Sequence, residues 1–250
     1  MHALELLPPP VRRLGRHTLQ RFGLAIDLDP FPQRLVRLCV AAGVDVVVDV
    51  GANAGQYAEV LRTAGFAGRI VSCEPLSAPY RKLAAAAARH RTWETVHTAL
   101  GDRHGTVRVQ VAGNSQSSSV LDMLSTHLAA APESRYVGIE EAPLTTVDEL
   151  CERYRVEPAR CLLKLDVQGY EGHVLAGARG VLPRLAAAQV ELSLAPLYAS
   201  QPLMPEVVDR LTGYGLDLWA IEPGFSDLSS GRMLQCDGVF VRAAAAGTNR

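Results

Sequence analysis

The sequence predicts an α/β fold in which helices cover both faces of a doubly wound, mostly parallel sheet of seven strands. Short apolar runs rich in β-branched residues alternate with longer helix-forming segments, which is the pattern of parallel strands joined by crossover helices. A glycine-punctuated turn follows the first apolar run. The last two runs are joined by a Gly/Ser loop with no room for a long helix, so we expect the last strand to be antiparallel.

The composition is typical of a soluble protein with one main domain. The chain has 250 residues, of which 48% are hydrophobic and 20% charged, and its formal net charge is -1. This balance provides no basic surface for nucleic acid, and no stretch approaches the roughly 20 apolar residues of a membrane span. The first residues lack the features of a signal peptide, and the five cysteines form no CxxC pair. We therefore expect a cytoplasmic protein with reduced thiols.

Residues 1–43 are expected to form an N-terminal helical cap on a main domain of residues 44–250. Arginines interleave with apolar residues over 12–22, and two prolines then restart a helical segment that ends near Gly43. Such a cap packs against the main sheet or against a second subunit. A homodimer is therefore one arrangement that the sequence leaves open.

The remaining elements follow in order along the chain. Strands of the main sheet are predicted at about residues 45–50, 69–74, 94–100, 161–166, 187–194, 216–222 and 235–242. Helices are predicted at about residues 55–64, 78–89, 147–154, 171–182 and 205–213. An additional strand with one solvated face is expected at 106–111, whereas 113–144 is the least regular part and includes a serine-rich loop.

Acidic residues stand near the carboxyl ends of the predicted strands, where open α/β sheets bind ligands. Asp49 precedes the turn that runs from Gly51 to Gly55, whose glycines let a ligand approach the backbone at a helix start. Glu74 ends the second strand, about 20 residues past that turn, where an acid commonly binds ribose hydroxyls. Asp102 follows the third strand, where it would meet an adenine edge.

The acid beside the glycine turn bears on the choice of ligand. A nicotinamide dinucleotide normally requires a third glycine in the turn and a close pyrophosphate contact. The turn lacks that third glycine, and the negative charge of Asp49 disfavours a pyrophosphate beside it. S-adenosylmethionine carries an amino group and a positive centre, so it suits this turn better. A nicotinamide-dependent oxidoreductase and a non-catalytic ligand-binding module of the same fold remain as alternatives at this point.

Five segments in order resemble the FkbM family of class I S-adenosylmethionine-dependent methyltransferases over about residues 43–242. They are Asp49–Gly55, Ala99–Asp102 with Gly105, Ser117–Ser119, Leu163–Glu171 and Glu191–Tyr198. The resemblance implies a Rossmann-like fold and O-methylation of a sugar or polyketide hydroxyl. The chain is similar to actinobacterial sugar methyltransferases, so one implied acceptor is the 1-hydroxyl of a short mannoside in methylmannose polysaccharide synthesis. The residues expected at the cofactor are Asp49, Gly51, Asn53, Gly55, Tyr57, Glu74, Asp102 and Ser118.

Methylation of a sugar hydroxyl requires activation of a poor nucleophile, either by a general base or by a divalent metal. Asp166 and Glu191 are expected on neighbouring strands near the donor end of the cofactor. Such a pair suits Mg²⁺, to which Glu222 or Asp237 would add a third oxygen, and the alternative is a single carboxylate base without metal. The residues expected at the reaction are Asp166, Glu171, His173 and Glu191.

Three further side chains have expected positions near this chemistry. Lys164 alternates with apolar neighbours, so we expect it on the other face of its strand, where it can pair with an acid. Gln168 and Tyr170 either contact the acceptor or form the turn beside Gly169. The loops at 113–144 and 195–205 are expected to select the acceptor.

Overall fold

The computed structural model describes residues 30–242, which form two sheets and the helices around them. The strands are β1 (Val46–Val50), β2 (Arg69–Cys73), β3 (Trp93–Val96), β4 (Ala99–Leu100), β5 (Gly105–Ala112), β6 (Tyr136–Thr145), β7 (Cys161–Leu165), β8 (Ala187–Ser193), β9 (Leu216–Pro223) and β10 (Gln235–Arg242). The α-helices are α1 (Phe31–Ala41), α2 (Gln56–Thr63), α3 (Ser77–Ala87), α4 (Ser125–Ala130), α5 (Val147–Arg153), α6 (Glu171–Ala176) and α7 (Met204–Gly213).

The main sheet has seven strands in the order β3-β2-β1-β7-β8-β10-β9. The first five strands in this order are parallel, and β10 pairs antiparallel with both β8 and β9. Every residue of β1 and β7 is buried, as expected for parallel strands that are covered on both faces. The predicted mostly parallel, seven-stranded fold with an antiparallel last strand is confirmed.

Two apolar layers hold the main sheet between its helices. On one face, α5, α6 and α7 pack against the sheet through residues such as Leu150, Leu175 and Leu211. On the other face, α1, α2 and α3 pack through residues such as Leu35 and Leu61. This arrangement leaves the carboxyl ends of the parallel strands as the edge at which a ligand can enter.

A second, three-stranded sheet in the order β4-β6-β5 corrects two predictions. The predicted strand 94–100 is divided between the two sheets as β3 and β4. The prediction that 113–144 is irregular is wrong for its last part, which forms β6 antiparallel to β5. Glycine, proline and two adjacent glutamates in β6 weaken its strand signal, and its pairing with β5 supplies the backbone partners that propensity did not predict.

The remaining predictions concern the N-terminal cap, the length of one helix, the cysteines and membrane spans. Helix α1 lies within the predicted N-terminal cap, while residues 1–29 of that cap and residues 243–250 lie outside the described residues. The helix predicted at 171–182 ends already at Ala176, next to Gly177. All five cysteines are buried and unpaired. Among residues 30–242, no helix is long and apolar enough to cross a membrane.

Candidate active site

A cavity of about 330 Å³ opens at the carboxyl ends of the central parallel strands. Its walls are the glycine turn after β1, the end of β2, the serine loop (residues 113–119) and the loop at 166–170. This volume lies at the lower end of the range for small-molecule sites. Of the residues predicted at the site, those that line the cavity are Gly51, Asn53, Tyr57, Glu74, Ser118, Asp166 and Glu191.

The glycine turn is in direct backbone contact with the loop after β7. Gly51 has φ +78°, and a Cβ there would lie 1.8 Å from the backbone oxygen of Asp166. Only glycine permits this approach, which brings the turn and Asp166 to the same wall of the cavity. Gly55 also has positive φ, but a Cβ at Gly55 would meet the ring of Trp93, so Gly55 serves packing behind the cavity.

Glu74 is a buried carboxylate that ties the end of β2 to the glycine turn. Its Oε2 accepts a hydrogen bond of 2.8 Å from the Asn53 N–H, and its Oε1 accepts one of 2.9 Å from the Leu76 N–H. Burial raises the pKa of Glu74 to about 7, although the two backbone N–H groups favour its charged form. The structure thus places an acid in the cavity wall at the end of β2.

Asp49 lies beneath the cavity and does not line it. Its carboxylate is fully buried, accepts a hydrogen bond of 3.0 Å from Ser72 Oγ, and lies 3.2 Å from Lys164 Nζ. The same ammonium is 3.4 Å from Asp166 Oδ2. Burial opposes the charge of Lys164, but the two carboxylates outweigh it and hold the pKa of Lys164 above its ordinary value. Asp49 therefore sets the charge of the cavity floor through Lys164.

Asp166 and Glu191 both face the cavity, and one amide group donates hydrogen bonds to both of their carboxylates. Gln168 Nε2 donates to Asp166 Oδ1 at 2.8 Å and to Glu191 Oε2 at 2.9 Å. Gln235 Nε2 also donates to Glu191 Oε2, at 2.6 Å. Burial first, and then the neighbouring Asp166, raise the pKa of Glu191 well above its ordinary value. The two carboxylates therefore have different environments, because Asp166 lies beside the Lys164 ammonium whereas half-buried Glu191 accepts amide N–H groups from both Gln168 and Gln235.

Asp102 and His173 lie together, but in a separate groove. His173 Nδ1 is 2.9 Å from Asp102 Oδ2, and this hydrogen bond lowers the pKa of Asp102. The ring of Tyr170, which does line the cavity, stacks on His173 with a centroid separation of 4.3 Å. The cavity geometry gives no support to the prediction of an adenine contact for Asp102 or of a base role for His173, because their side chains turn towards each other on the far side of Tyr170.

Glu171 and Asp237 also lie outside the cavity. Glu171 is buried behind the 166–170 loop, where its Oε1 accepts hydrogen bonds from the backbone N–H groups of Val167 and Gly169 at 3.0 and 3.3 Å. Burial raises the pKa of Glu171 to about 7. Asp237 faces Glu191 across the β8–β10 pairing, and burial raises its pKa to about 6. Neither side chain lines the cavity, so this geometry gives no support to the predicted catalytic role of Glu171 or to the predicted metal-binding role of Asp237.

The predicted magnesium ligands do not form a metal site in this geometry. Within residues 30–242, no group of three or more His, Cys, Asp or Glu side chains is arranged to hold a metal ion. The facing oxygens of Asp166 and Glu191 are instead bridged by an amide N–H₂ group. The donor set therefore does not fit Mg²⁺, because an amide nitrogen occupies the point between the two carboxylates at which the ion would bind.

Sequence reasoning predicted Lys164 to pair with an acid, and its contacts with Asp49 and Asp166 confirm this. It did not predict that Gln168 bridges two carboxylates or that Gln235 supports Glu191. The sequence alone does not indicate that Gln235 lies near Glu191, because its position opposite Ser193 depends on the register of an antiparallel pairing.

Residues 49–218 match the model of the family described as "Methyltransferase FkbM domain". This match covers more than half of the chain, so the chain belongs to the FkbM methyltransferase family. It is an S-adenosylmethionine-dependent methyltransferase. No curated protein matches the chain.

Several solved methyltransferase structures are distantly similar. Magnesium protoporphyrin IX methyltransferase from Synechocystis PCC 6803, with bound SAM, is 10% identical with a TM-score of 0.44, over 93% of this chain and 82% of that chain. The 1,6-didemethyltoxoflavin-N1-methyltransferase of Burkholderia thailandensis is 13% identical with a TM-score of 0.44, over 95% and 91%. An rRNA methylase from Streptococcus thermophilus is 11% identical with a TM-score of 0.46, over 86% and 99%. These similarities assign no acceptor.

The buried acids predict that stability falls as pH rises. An acid whose pKa is raised on folding contributes stability that is complete below its unfolded pKa and is lost as pH rises through its folded pKa. For Glu171 this window runs from about 4.5 to about 7. We expect Glu171→Gln, whose side chain can still accept both backbone N–H groups, to flatten the decline between pH 5 and pH 8 by up to roughly 3 kcal/mol.

The measurement is urea unfolding of both proteins across this pH range. Buried His127 has a lowered pKa and adds a slope of opposite sign, so the informative quantity is the difference between variants. Glu149→Gln is the control, because the pKa of Glu149 is lowered and its titration lies below the window. Equal slopes in the Glu171→Gln protein and the parent would contradict the account.

Proposed function

We propose that this methyltransferase methylates a hydroxyl of a sugar or oligosaccharide, with Asp166 as the general base. The observation that carries the proposal is the placement of Asp166 and Glu191 in the same cavity wall as the glycine turn. A carboxylate at this edge can take the proton of a neutral hydroxyl as the methyl group arrives. The acceptor that we propose first is the 1-hydroxyl of a short mannoside.

The residues of the cavity fit the cofactor that the family uses. The carboxylate of Glu74 can accept hydrogen bonds from the two ribose hydroxyls, and the turn from Gly51 to Asn53 offers a backbone surface without a Cβ at the closest point. When bound, S-adenosylmethionine supplies a methyl group whose bond to sulfur breaks, with its electron pair left on sulfur, as the acceptor oxygen bonds to the methyl carbon. The protein orients the acceptor and removes its proton.

The environments of the two carboxylates suit different roles. Asp166 is half-exposed at the cavity, and Lys164 places a positive charge 3.4 Å from its Oδ2. It is therefore the carboxylate that accepts the proton. The raised pKa of Glu191 favours its neutral form, so it can donate a hydrogen bond to the acceptor oxygen or to a neighbouring hydroxyl. Paired acids with separated environments commonly divide the work in this way.

The polar lining of the cavity supports a sugar acceptor. Uncharged hydrogen-bonding side chains line the cavity together with the carboxylates, and they are contributed by α2, the glycine turn and the serine loop: Asn53, Gln56, Tyr57, Ser115 and Gln116. Such groups match the donors and acceptors of sugar hydroxyls. The 1-hydroxyl of a free sugar is more acidic than its other hydroxyls, so a carboxylate base suffices without a metal.

The first prediction from this proposal concerns Asp166. We expect Asp166→Asn to lower the rate of methyl transfer from labelled S-adenosylmethionine to mannose or mannobiose by at least about 100-fold, because the base is lost. Calorimetry should show cofactor affinity within about threefold of the parent. Asp102→Asn is the matched control and should keep full turnover, because Asp102 lies in the separate groove. Full turnover by the Asp166→Asn protein would remove the proposed base.

The second prediction concerns divalent metal. Exhaustive treatment with EDTA, followed by assay in metal-free buffer, should leave the rate of methyl transfer unchanged, because Asp166 takes the proton directly. The control is an EDTA-treated sample to which Mg²⁺ is restored. A loss of activity that Mg²⁺ reverses would instead establish metal assistance and overturn the proposed role of the carboxylate pair.

A further inference from the structure

Gln168 is the point at which the two carboxylates of the candidate active site meet. Its single amide nitrogen lies within 2.8 Å of Asp166 Oδ1 and 2.9 Å of Glu191 Oε2. An amide N–H₂ group has two protons, so one nitrogen can satisfy both oxygens at once. The side chains of Asp166 and Glu191 are thereby held at a fixed separation.

The orientation of this amide is selected by Tyr198. The Tyr198 hydroxyl donates a hydrogen bond of 2.7 Å to Gln168 Oε1. A flipped amide would turn Oε1 towards two carboxylates and would leave Nε2 facing the hydroxyl. The Tyr198 ring is buried and is held in place: a Cβ at Gly169 would lie 2.9 Å from its Cβ, and His127 packs against it edge-on at 5.2 Å.

The backbone of Gln168 is held by the serine loop. Gln168 has φ +55°, a left-handed conformation that is uncommon for residues other than glycine, asparagine and aspartate. Its carbonyl oxygen accepts a hydrogen bond of 2.7 Å from the hydroxyl of buried Ser119. An unfavourable backbone conformation that its neighbours maintain is typical of functional sites.

We infer that Gln168 is a positioning residue that holds Asp166 and Glu191 as one hydrogen-bonded unit, and that Tyr198 sets the direction of its amide. This inference rests on the proposed function, because it assigns how the proposed base is held. The serine loop also lines the cofactor cavity, and the Tyr198 hydroxyl lies 3.2 Å from the backbone oxygen of Ser117 in that loop. The wall of the cofactor cavity and the carboxylate pair therefore share one support.

Two substitutions each remove one part of the hydrogen bonding that holds the carboxylate pair. Gln168→Asn tolerates the left-handed backbone but is one methylene too short to bridge the carboxylates, and Tyr198→Phe keeps the ring while removing the hydroxyl. We expect kcat with mannobiose to fall about 10- to 100-fold for Gln168→Asn and about tenfold for Tyr198→Phe. Cofactor affinity should stay within about threefold of the parent, because neither change alters Glu74 or the glycine turn.

Tyr80→Phe is the matched control. The Tyr80 hydroxyl accepts a 3.5 Å hydrogen bond from Thr95 Oγ1, so this variant also loses a hydrogen bond of a half-buried tyrosine. Its ring stacks on His97 beside β3, away from the carboxylates and the serine loop. We expect the Tyr80→Phe protein to keep the kcat of the parent, which separates positioning of the pair from a general loss of packing.

A titration provides a readout that needs no acceptor. Carbon-13 NMR of labelled Asp and Glu carboxyl groups follows Asp166 and Glu191 in the cofactor-free protein, while Lys164, Glu171 and Asp237, which also face the pair, are unchanged in every variant. Loss of the N–H donors removes a group that favours the charged carboxylates. We expect the titration midpoints of the pair to rise in Gln168→Asn and Tyr198→Phe and to stay fixed in Tyr80→Phe.

The outcomes separate the inference from the proposed function. Midpoints that do not move in Gln168→Asn or Tyr198→Phe overturn the inference, whether or not the parent methylates a mannoside. Unchanged kcat in both variants, alongside an inactive Asp166→Asn protein, overturns it as well. Active Asp166→Asn protein contradicts the proposed base instead, and shifted midpoints in that case still support the role of Gln168 in holding the pair.

Discussion

The ammonium group of Lys164, buried between Asp49 and Asp166, is the interaction on which the active edge of this protein depends. Asp49 is fully enclosed, and its charge is tolerable only because Lys164 Nζ lies 3.2 Å away. A buried charge that loses its partner is strongly destabilising, by about 3–5 kcal/mol. The same ammonium reaches Asp166, so the cation that permits Asp49 in the core also sets the charge around the proposed base.

This ion pair belongs to a row of polar side chains that crosses the main sheet. The register places Ser72 and Lys164 on either side of Asp49, and Gln189 beside Lys164. At one end of the row, Trp93 Nε1 donates a hydrogen bond of 3.0 Å to Ser72 Oγ. At the other end, the hydroxyl of Tyr57 in α2 donates one of 2.7 Å to Gln189 Oε1. The hydrogen bonds of such a network specify one register, because a slip would leave several buried groups unpaired. The sheet therefore fixes the positions of the functional side chains.

Much of this arrangement was predictable from the sequence. Alternating apolar runs and helix-forming segments were sufficient to predict the strands of the main sheet. Glu74 and Asp166 were predicted at the ligand edge because they stand at strand ends, and both line the cavity. Strand-end reasoning says nothing about the direction in which a loop turns, so Asp102 was assigned to an adenine edge although it faces His173 in another groove. The bridge made by Gln168 depends on a left-handed backbone that a hydroxyl from the serine loop supports, and no local pattern encodes such a contact.

The site therefore joins the cavity that we propose for the cofactor, shaped by backbone contact between Gly51 and Asp166, to a carboxylate pair. Gln168, Gln235 and Lys164 maintain the geometry of this pair. The most direct test is a crystal structure of the ternary complex with S-adenosylhomocysteine and mannobiose. The account predicts that the ribose hydroxyls meet Glu74 and that the 1-hydroxyl lies within hydrogen-bond distance of Asp166. A sugar bound beside Asp102 and His173, with its hydroxyls remote from Asp166, would contradict it.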